Sequence, residues 1–234
     1  MSVRRLFKEA DRDIVVLLTA AGALLALQMN YGSARFGAWA LGGEARDPAA
    51  VGWLFLAVFL LFGVVPALVW RLWIRRPLLL MGLSGGDRRY ALRMLVWLLP
   101  FVVAPLMFLA SLLPDLRAEY PLARGLPSGA GAVLLYEVAY LLYYLGWEAF
   151  YRGFLLFGLE RRIGSFPAAA LTTLISTAVH MGKPEGEVWG ALIAGFLFAW
   201  LALRTRSFIW SFVVHAAVGV LIDLFVLFGP GGLR

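Results

Sequence analysis

The chain has 234 residues and a formal net charge of +7, yet 62% of it is hydrophobic, only 15% is charged and its mean hydropathy is +0.83. That composition excludes a soluble globular domain and leaves several runs long enough to cross a bilayer. Cysteine is absent, which excludes disulfides and thiolate chemistry and leaves any nucleophile activation or metal binding to His, Asp and Glu.

The elements, in chain order, are those of an all-α transmembrane bundle of about seven spans. Residues 1–13 form a basic juxtamembrane segment with Arg4, Arg5, Lys8 and Arg12 beside Leu6 and Phe7, the pattern of a stretch lying on a membrane surface. The run from Ile14 to Met29 is long for a signal core and lacks a small-residue cleavage site, so it is predicted to be the first span. A Gly-rich loop, Tyr31 to Pro48, leads to a second span from Val51 to Trp73, whose Trp70 and Trp73 suit an interfacial belt. The Ser84-Gly85-Gly86-Asp87 turn precedes a third span, Tyr90 to Leu113, in which Pro100 and Pro105 should each produce a kink. A polar surface loop, Pro114 to Gly129, closes the N-terminal transmembrane region 14–129. The core region 130–228 is predicted to hold four spans: Ala130 to about Glu160, Phe166 to His180, Val188 to Leu203 and Phe208 to Phe228, with 229–234 as a tail.

Charge fixes an expected orientation. With the N-terminus cytoplasmic, the inner segments hold Arg4, Arg5, Lys8, Arg12, Arg71, Arg75, Arg76, Arg88, Arg89, Arg93, Arg161, Arg162, Arg204 and Arg206, against Arg35, Arg46, Arg117, Arg124, Lys183 and Arg234 outside. This asymmetry predicts a multi-pass protein of the plasma membrane with its N-terminus inside and its C-terminus outside. It also accounts for the basic balance through the lipid bilayer, with no nucleic acid as partner.

Within the fourth span, Glu148 and Arg152 interrupt a long apolar run. A charged residue at the bilayer centre costs about 2.5 to 3.5 kcal/mol on the mildest scale, so both residues need partners or a function. Four apart with the acid first, they pair on one helix face, which is also what a purely structural clamp would require. At ~1.5 Å per residue, Glu148 and His180 come out level, and Arg152 comes out level with His215 about one turn lower. Asp223 returns to the upper layer, whereas Glu185 and Glu187 read as a solvated turn and Glu137 as interfacial. A glutamate beside a neutral imidazole can take a proton from water, and a second His or the Arg can stabilise the oxyanion on an attacked carbonyl. The set Glu148, His180 and His215 could instead hold zinc, whose bound water would be the nucleophile.

The order Glu148-Ala149-Phe150-Tyr151-Arg152-Gly153, then a span ending in His180, then His215 after Thr205-Arg206-Ser207-Phe208-Ile209-Trp210, resembles the CPBP family. These are the type II CAAX prenyl endopeptidases and Abi-like bacteriocin-processing proteins of membranes. The resemblance implies an all-helical intramembrane protease acting on a peptide or membrane-protein substrate, with glutamate and histidine activating water, a second histidine and an asparagine on the oxyanion side, and no required cofactor. The family motif opens with two adjacent glutamates, the first credited with water activation. That place is Trp147 here, and Gly219 stands where the family has asparagine. Glu148, His180, His215 and Arg152 are therefore the candidate catalytic residues, with Asp223 and Glu187 secondary.

Three functions follow from this reading: an intramembrane endopeptidase, a protease-like membrane scaffold without catalysis, and a small transporter in which the buried charges mark a proton or substrate path. No internal repeat or paired interrupted helices support the third.

Overall fold

The computed structural model describes residues 12–126 and 129–230. Most of the basic juxtamembrane segment and the end of the tail, including Arg4, Arg5, Lys8 and Arg234, lie outside these residues. The described residues form helices α1 (Arg12–Tyr31), α2 (Ala34–Leu41), α3 (Pro48–Leu72), α4 (Arg88–Ala110), α5 (Pro114–Glu119), α6 (Ala130–Ile163), α7 (Ser165–Val179), α8 (Glu185–Thr205) and α9 (Ile209–Phe228). A 3-10 turn, Leu78–Met81, lies between α3 and α4. Six of the helices are long and apolar enough to cross a membrane, and α7 is a shorter apolar one.

Helix α6 is the axis of the bundle. At about 1.5 Å per residue its 34 residues exceed the roughly 30 Å hydrocarbon core. Every residue from Gly146 to Phe157 is buried, the signature of a helix surrounded on all sides. Helices α3, α7 and α9 pack on it, α8 bridges α7 and α9, and α4 lies outside against α8 and α9. Its middle, Ala149–Leu156, is wound as a π-helix, a local widening that commonly accompanies functional positions.

Glycine sets how close α3 can come. A Cβ on Gly146 would stand 2.6 Å from the Val58 carbonyl oxygen and 2.8 Å from Phe59 Cα, and one on Gly63 would stand 3.3 Å from Gly146 Cα. The two backbones thus touch directly where α3 itself has a π-helical stretch, Phe59–Val64. In α4, Pro100 sits within the π-helical stretch Leu99–Val103, after which the helix continues to Ala110. The donors that the prolines remove are absorbed by π turns within a continuous helix.

The arginine-bearing end is fastened by polar contacts. The Asp87 carboxylate accepts from Tyr90 N–H (3.1 Å) and from Arg204 (3.1 Å). The Tyr90 N–H, and more weakly Arg204, hold this carboxyl below the usual range against a small opposing effect of desolvation. Gly86 takes φ +49°, and a Cβ there would stand 1.9 Å from the Thr205 carbonyl oxygen. The Trp210 indole N–H donates to the Gly85 carbonyl (2.8 Å), and Arg206 pairs with Glu160 (2.8 Å). These contacts lock the α8–α9 turn to the start of α4 and the end of α6, which fixes the height of His215 on α9.

Several expectations from the sequence are corrected. The Tyr31–Pro48 loop contains α2, capped by Ser33 and closed by Gly42 at φ 75°. Trp70 is a buried core residue whose N–H bonds the Pro77 carbonyl (3.1 Å), whereas Trp73 is exposed. The Pro114–Gly129 loop contains α5 and buries Leu116 and Ala123.

Replacing Gly146 by Ala should destabilise the protein by about 1 to 3 kcal/mol through overpacking at this crossing. Gly190→Ala, which meets open space in α8, should be neutral or stabilising. Denaturant unfolding of both variants in detergent tests this, and equal stability would remove the close approach as a constraint.

Candidate functional site

Tyr136, Tyr140, Tyr144, Glu148 and Arg152 follow one another at four-residue intervals and mark one stripe of α6. The tyrosines bury their rings in a stack, with Tyr140 and Tyr144 centroids 4.5 Å apart and Phe55 of α3 stacked on Tyr140 at 4.6 Å. The stripe ends in a charge, since Glu148 is fully buried.

Two partners hold that charge. Glu148 Oε1 accepts from His215 Nδ1 at 2.7 Å, and Glu148 Oε2 lies 3.5 Å from Arg152 Nε. Arg152, also buried, donates from Nη2 to the Gly195 carbonyl of α8 (3.3 Å). Glycine at 195 permits this, because a Cβ there would collide with the Thr173 side chain. A carboxylate only accepts, so His215 carries its proton on Nδ1 and leaves Nε2 as a proton acceptor. The His215 side chain is 18% exposed while that of Glu148 is 0% exposed, so the imidazole is the member of the pair that can meet an incoming molecule.

His180 caps the C-terminus of α7. Its Nδ1 donates to the Ser176 carbonyl (2.7 Å), which again leaves Nε2 as an acceptor. Its ring meets Trp147 at 5.4 Å and 78°, and Trp147 also faces His215 at 6.5 Å and 85°. The indole therefore neighbours both imidazoles.

Tyr144 packs on His215 with ring centroids 4.7 Å apart. A Cβ on Gly219 would stand 1.9 Å from Tyr144 Oη, so the tyrosine occupies the space that any side chain at 219 would use. The departures at 147 and 219 thus coincide with two aromatic side chains filling the site.

The arrangement differs from the sequence reading in several respects. Glu148, rather than Arg152 alone, is the partner of His215. Among the described residues, no three His, Cys, Asp or Glu side chains group to hold a metal ion; Glu148 Oε2 faces Arg152, so Glu148, His180 and His215 are not assembled as a zinc site. Asp223 is fully buried but sits about 12 Å further along α9 than His215, beside Glu137, Tyr136 and Arg124. Glu137 is 8% exposed and lies near Asp223, and Glu187 lies in the first turn of α8 beside Tyr120 and Lys183 rather than in a solvated turn.

Sequence reasoning missed Tyr144, Ser176 and Gly195. The four-residue tyrosine spacing was a usable signal for the first, but a backbone carbonyl partner leaves no trace in side-chain chemistry.

The end of the stripe away from the arginines is covered by the segment after α5. Leu122, Ala123 and Leu126 pack on Tyr136, Tyr140 and Tyr144. Arg46 holds this segment through the carbonyls of Ala118 (2.8 Å), Glu119, Pro121 (3.0 Å) and Leu122 (3.2 Å), and Lys183 pairs with Glu119 (2.5 Å). Burial, and next the adjacent Glu187, push the Tyr120 phenol well above its usual range.

Residues 129–221 match the family described as Type II CAAX prenyl endopeptidase Rce1-like. That stretch is what the chain shares with the family. No curated protein and no solved structure matches it. The matched stretch runs from the start of α6 into α9 and contains Glu148, Arg152, His180, His215 and Gly219, while α1 to α5 lie outside it.

Removing Arg152 would leave a buried carboxylate without its cation. Arg152→Ala should therefore cost about 3 to 5 kcal/mol, and the double variant with Glu148→Gln should lose less than the sum of the two single losses by about 1 kcal/mol or more. Additive losses in denaturant unfolding would show that the two charges do not depend on each other.

Proposed function

We propose that the protein is an intramembrane endopeptidase of the CAAX-protease-like type, in which His215, oriented by Glu148, activates the water that hydrolyses a peptide bond. The observation that carries this reading is the 2.7 Å contact between His215 Nδ1 and a fully buried Glu148. A base whose far nitrogen donates to a buried carboxylate is held in one tautomer and one orientation, and the imidazolium that it becomes is stabilised. Water oxygen bonds to the carbonyl carbon as its proton moves to His215 Nε2, and the same proton then passes to the departing amine nitrogen as the C–N bond breaks. Arg152 Nε, 3.5 Å from Glu148 Oε2, gives that carboxylate a cationic partner inside the bundle. His180, with Nε2 free and its ring against Trp147, forms another part of the wall.

This assignment makes Glu148 the orienting group and His215 the base. It uses protein side chains alone, so the proposed reaction needs no cofactor. The substrate class is a peptide or a segment of a membrane protein that reaches a site enclosed by helices.

A second reading has its own observation. Trp147 stands where the resembled family carries a glutamate, and Tyr144 fills the space beside Gly219, where that family carries an asparagine, so the region is also suited to hold a membrane partner without cutting it.

The proposed setting is the plasma membrane, N-terminus inside and C-terminus outside. Support comes from Arg71, Arg75, Arg76, Arg88, Arg89, Arg161, Arg162, Arg204 and Arg206, which fall on the ends of α3, α4, α6 and α8 that share one face of the bundle. Because the chain lacks cysteine, single cysteines report topology cleanly. Ser84→Cys should be protected from a membrane-impermeant maleimide in intact cells and Gly43→Cys labelled, and the reverse pattern would invert the orientation.

For the reaction, His215→Ala and Glu148→Gln should each lower the cleavage rate of membrane-peptide substrates by about a hundredfold or more while the protein remains monodisperse in detergent. Unchanged cleavage in both would overturn the assignment, and partner binding that survives both without any cleavage in the parent would establish the scaffold.

A further inference from the structure

Trp147 is the residue that departs from the family pattern at the centre of the site, and it is not merely a filler. Its ring is 5% exposed and its indole N–H is buried without a hydrogen-bond partner. Buried indole N–H groups ordinarily find an acceptor, because leaving one unpaired forfeits its hydration without replacement. Rotation offers little relief, since the ring is wedged among Tyr143 (5.7 Å), Tyr151 (4.9 Å), His180 (5.4 Å) and His215 (6.5 Å).

The surrounding polar groups sharpen the point. Tyr151 Oη on α6 and Thr173 and Thr177 Oγ1 on α7 are also buried without partners. A hydroxyl can donate or accept, but an indole N–H can only donate. What completes it is an acceptor that arrives from elsewhere, beside an imidazole whose Nε2 is free. A peptide carbonyl oxygen has that chemistry.

We propose that Trp147 Nε1–H is the donor that binds the carbonyl oxygen of the scissile peptide and the oxyanion it becomes. The inference rests on the endopeptidase reading above. As the water oxygen bonds to the carbonyl carbon and the water proton passes to His215 Nε2, the carbonyl π pair moves onto oxygen, and the N–H···O contact strengthens as that oxygen becomes negative. Collapse returns the pair to form the new carboxyl carbonyl, while the amine leaves with the proton from His215. The place that holds a carboxylate in the resembled family here holds a donor, so the carbonyl would be held by the same helix, α6, that orients the base and not by residue 219, whose space Tyr144 fills.

Two measurements on the full chain in detergent test this. With substrate, Trp147→Phe keeps the ring and removes the N–H, so kcat should fall about a hundredfold or more with KM nearly unchanged, and Trp147→Tyr, which restores a donor, should recover part of the loss. An equal kcat in wild type and Trp147→Phe would overturn the proposal. Without turnover, 15N-indole-labelled protein is titrated with an apolar tetrapeptide carrying a phosphinate in place of the scissile amide. Of the nine Trp signals, the one missing from Trp147→Phe (or from Trp147→Tyr if the phenylalanine variant does not fold) should move downfield, and the phosphinate should bind at least tenfold more weakly to that variant. Binding of the phosphinate with that signal unmoved would overturn the role of Trp147 and leave the endopeptidase reading standing. Absence of both cleavage and phosphinate binding would overturn the endopeptidase reading and this proposal together.

Discussion

One buried carboxylate organises this molecule. Glu148 lies at the centre of the bundle with no exposure, shared between an arginine one turn along its own helix and a histidine from α9. An isolated ion there would be prohibitively costly, so the surrounding structure is obliged to deliver its partners accurately. The π-helical segment carrying Arg152, the Gly195 carbonyl that receives the far side of the guanidinium, and the fastened α8–α9 turn that sets the height of His215 all serve that delivery. The bare contact of α3 with α6 at Gly146 determines how the motif is presented to α7 and α9.

Around this charge the site is lined by aromatic side chains that fit one another closely. Tyr144 extends over Gly219, so a tyrosine on α6 and a glycine on α9 depend on each other sterically. Trp147 neighbours two imidazoles, each of which already donates through Nδ1 to a fixed acceptor. The site offers the Nε2 atoms of two imidazoles and a buried, unpaired indole N–H.

The bundle was legible in the sequence because hydrocarbon imposes simple lengths: a run of apolar residues either spans or does not. Glu148, Arg152, His180 and His215 stood out because charge and imidazole are conspicuous in such runs. What linear reasoning could not supply was their pairing. Counting a uniform rise from the helix ends set His215 beside Arg152, whereas the π-helical turns and the anchoring of α9 bring it to Glu148. Burial of Trp70 and Glu137 escaped for a related reason: position near the end of an apolar run resembles an interface until packing partners are known. Helix α2 was hidden by its glycines, although Ser33 and Gly42 are the residues that cap it.

The most direct test of this account is the protonation of its two histidines, the only two in the chain. Histidine-selective 15N labelling of the detergent-solubilised protein above pH 8 should show both imidazoles protonated at Nδ1 and unprotonated at Nε2, with Glu148→Gln altering the signals of His215 and leaving those of His180 in place. A His215 protonated at Nε2, or one indifferent to Glu148→Gln, would contradict the shared carboxylate on which the rest is built.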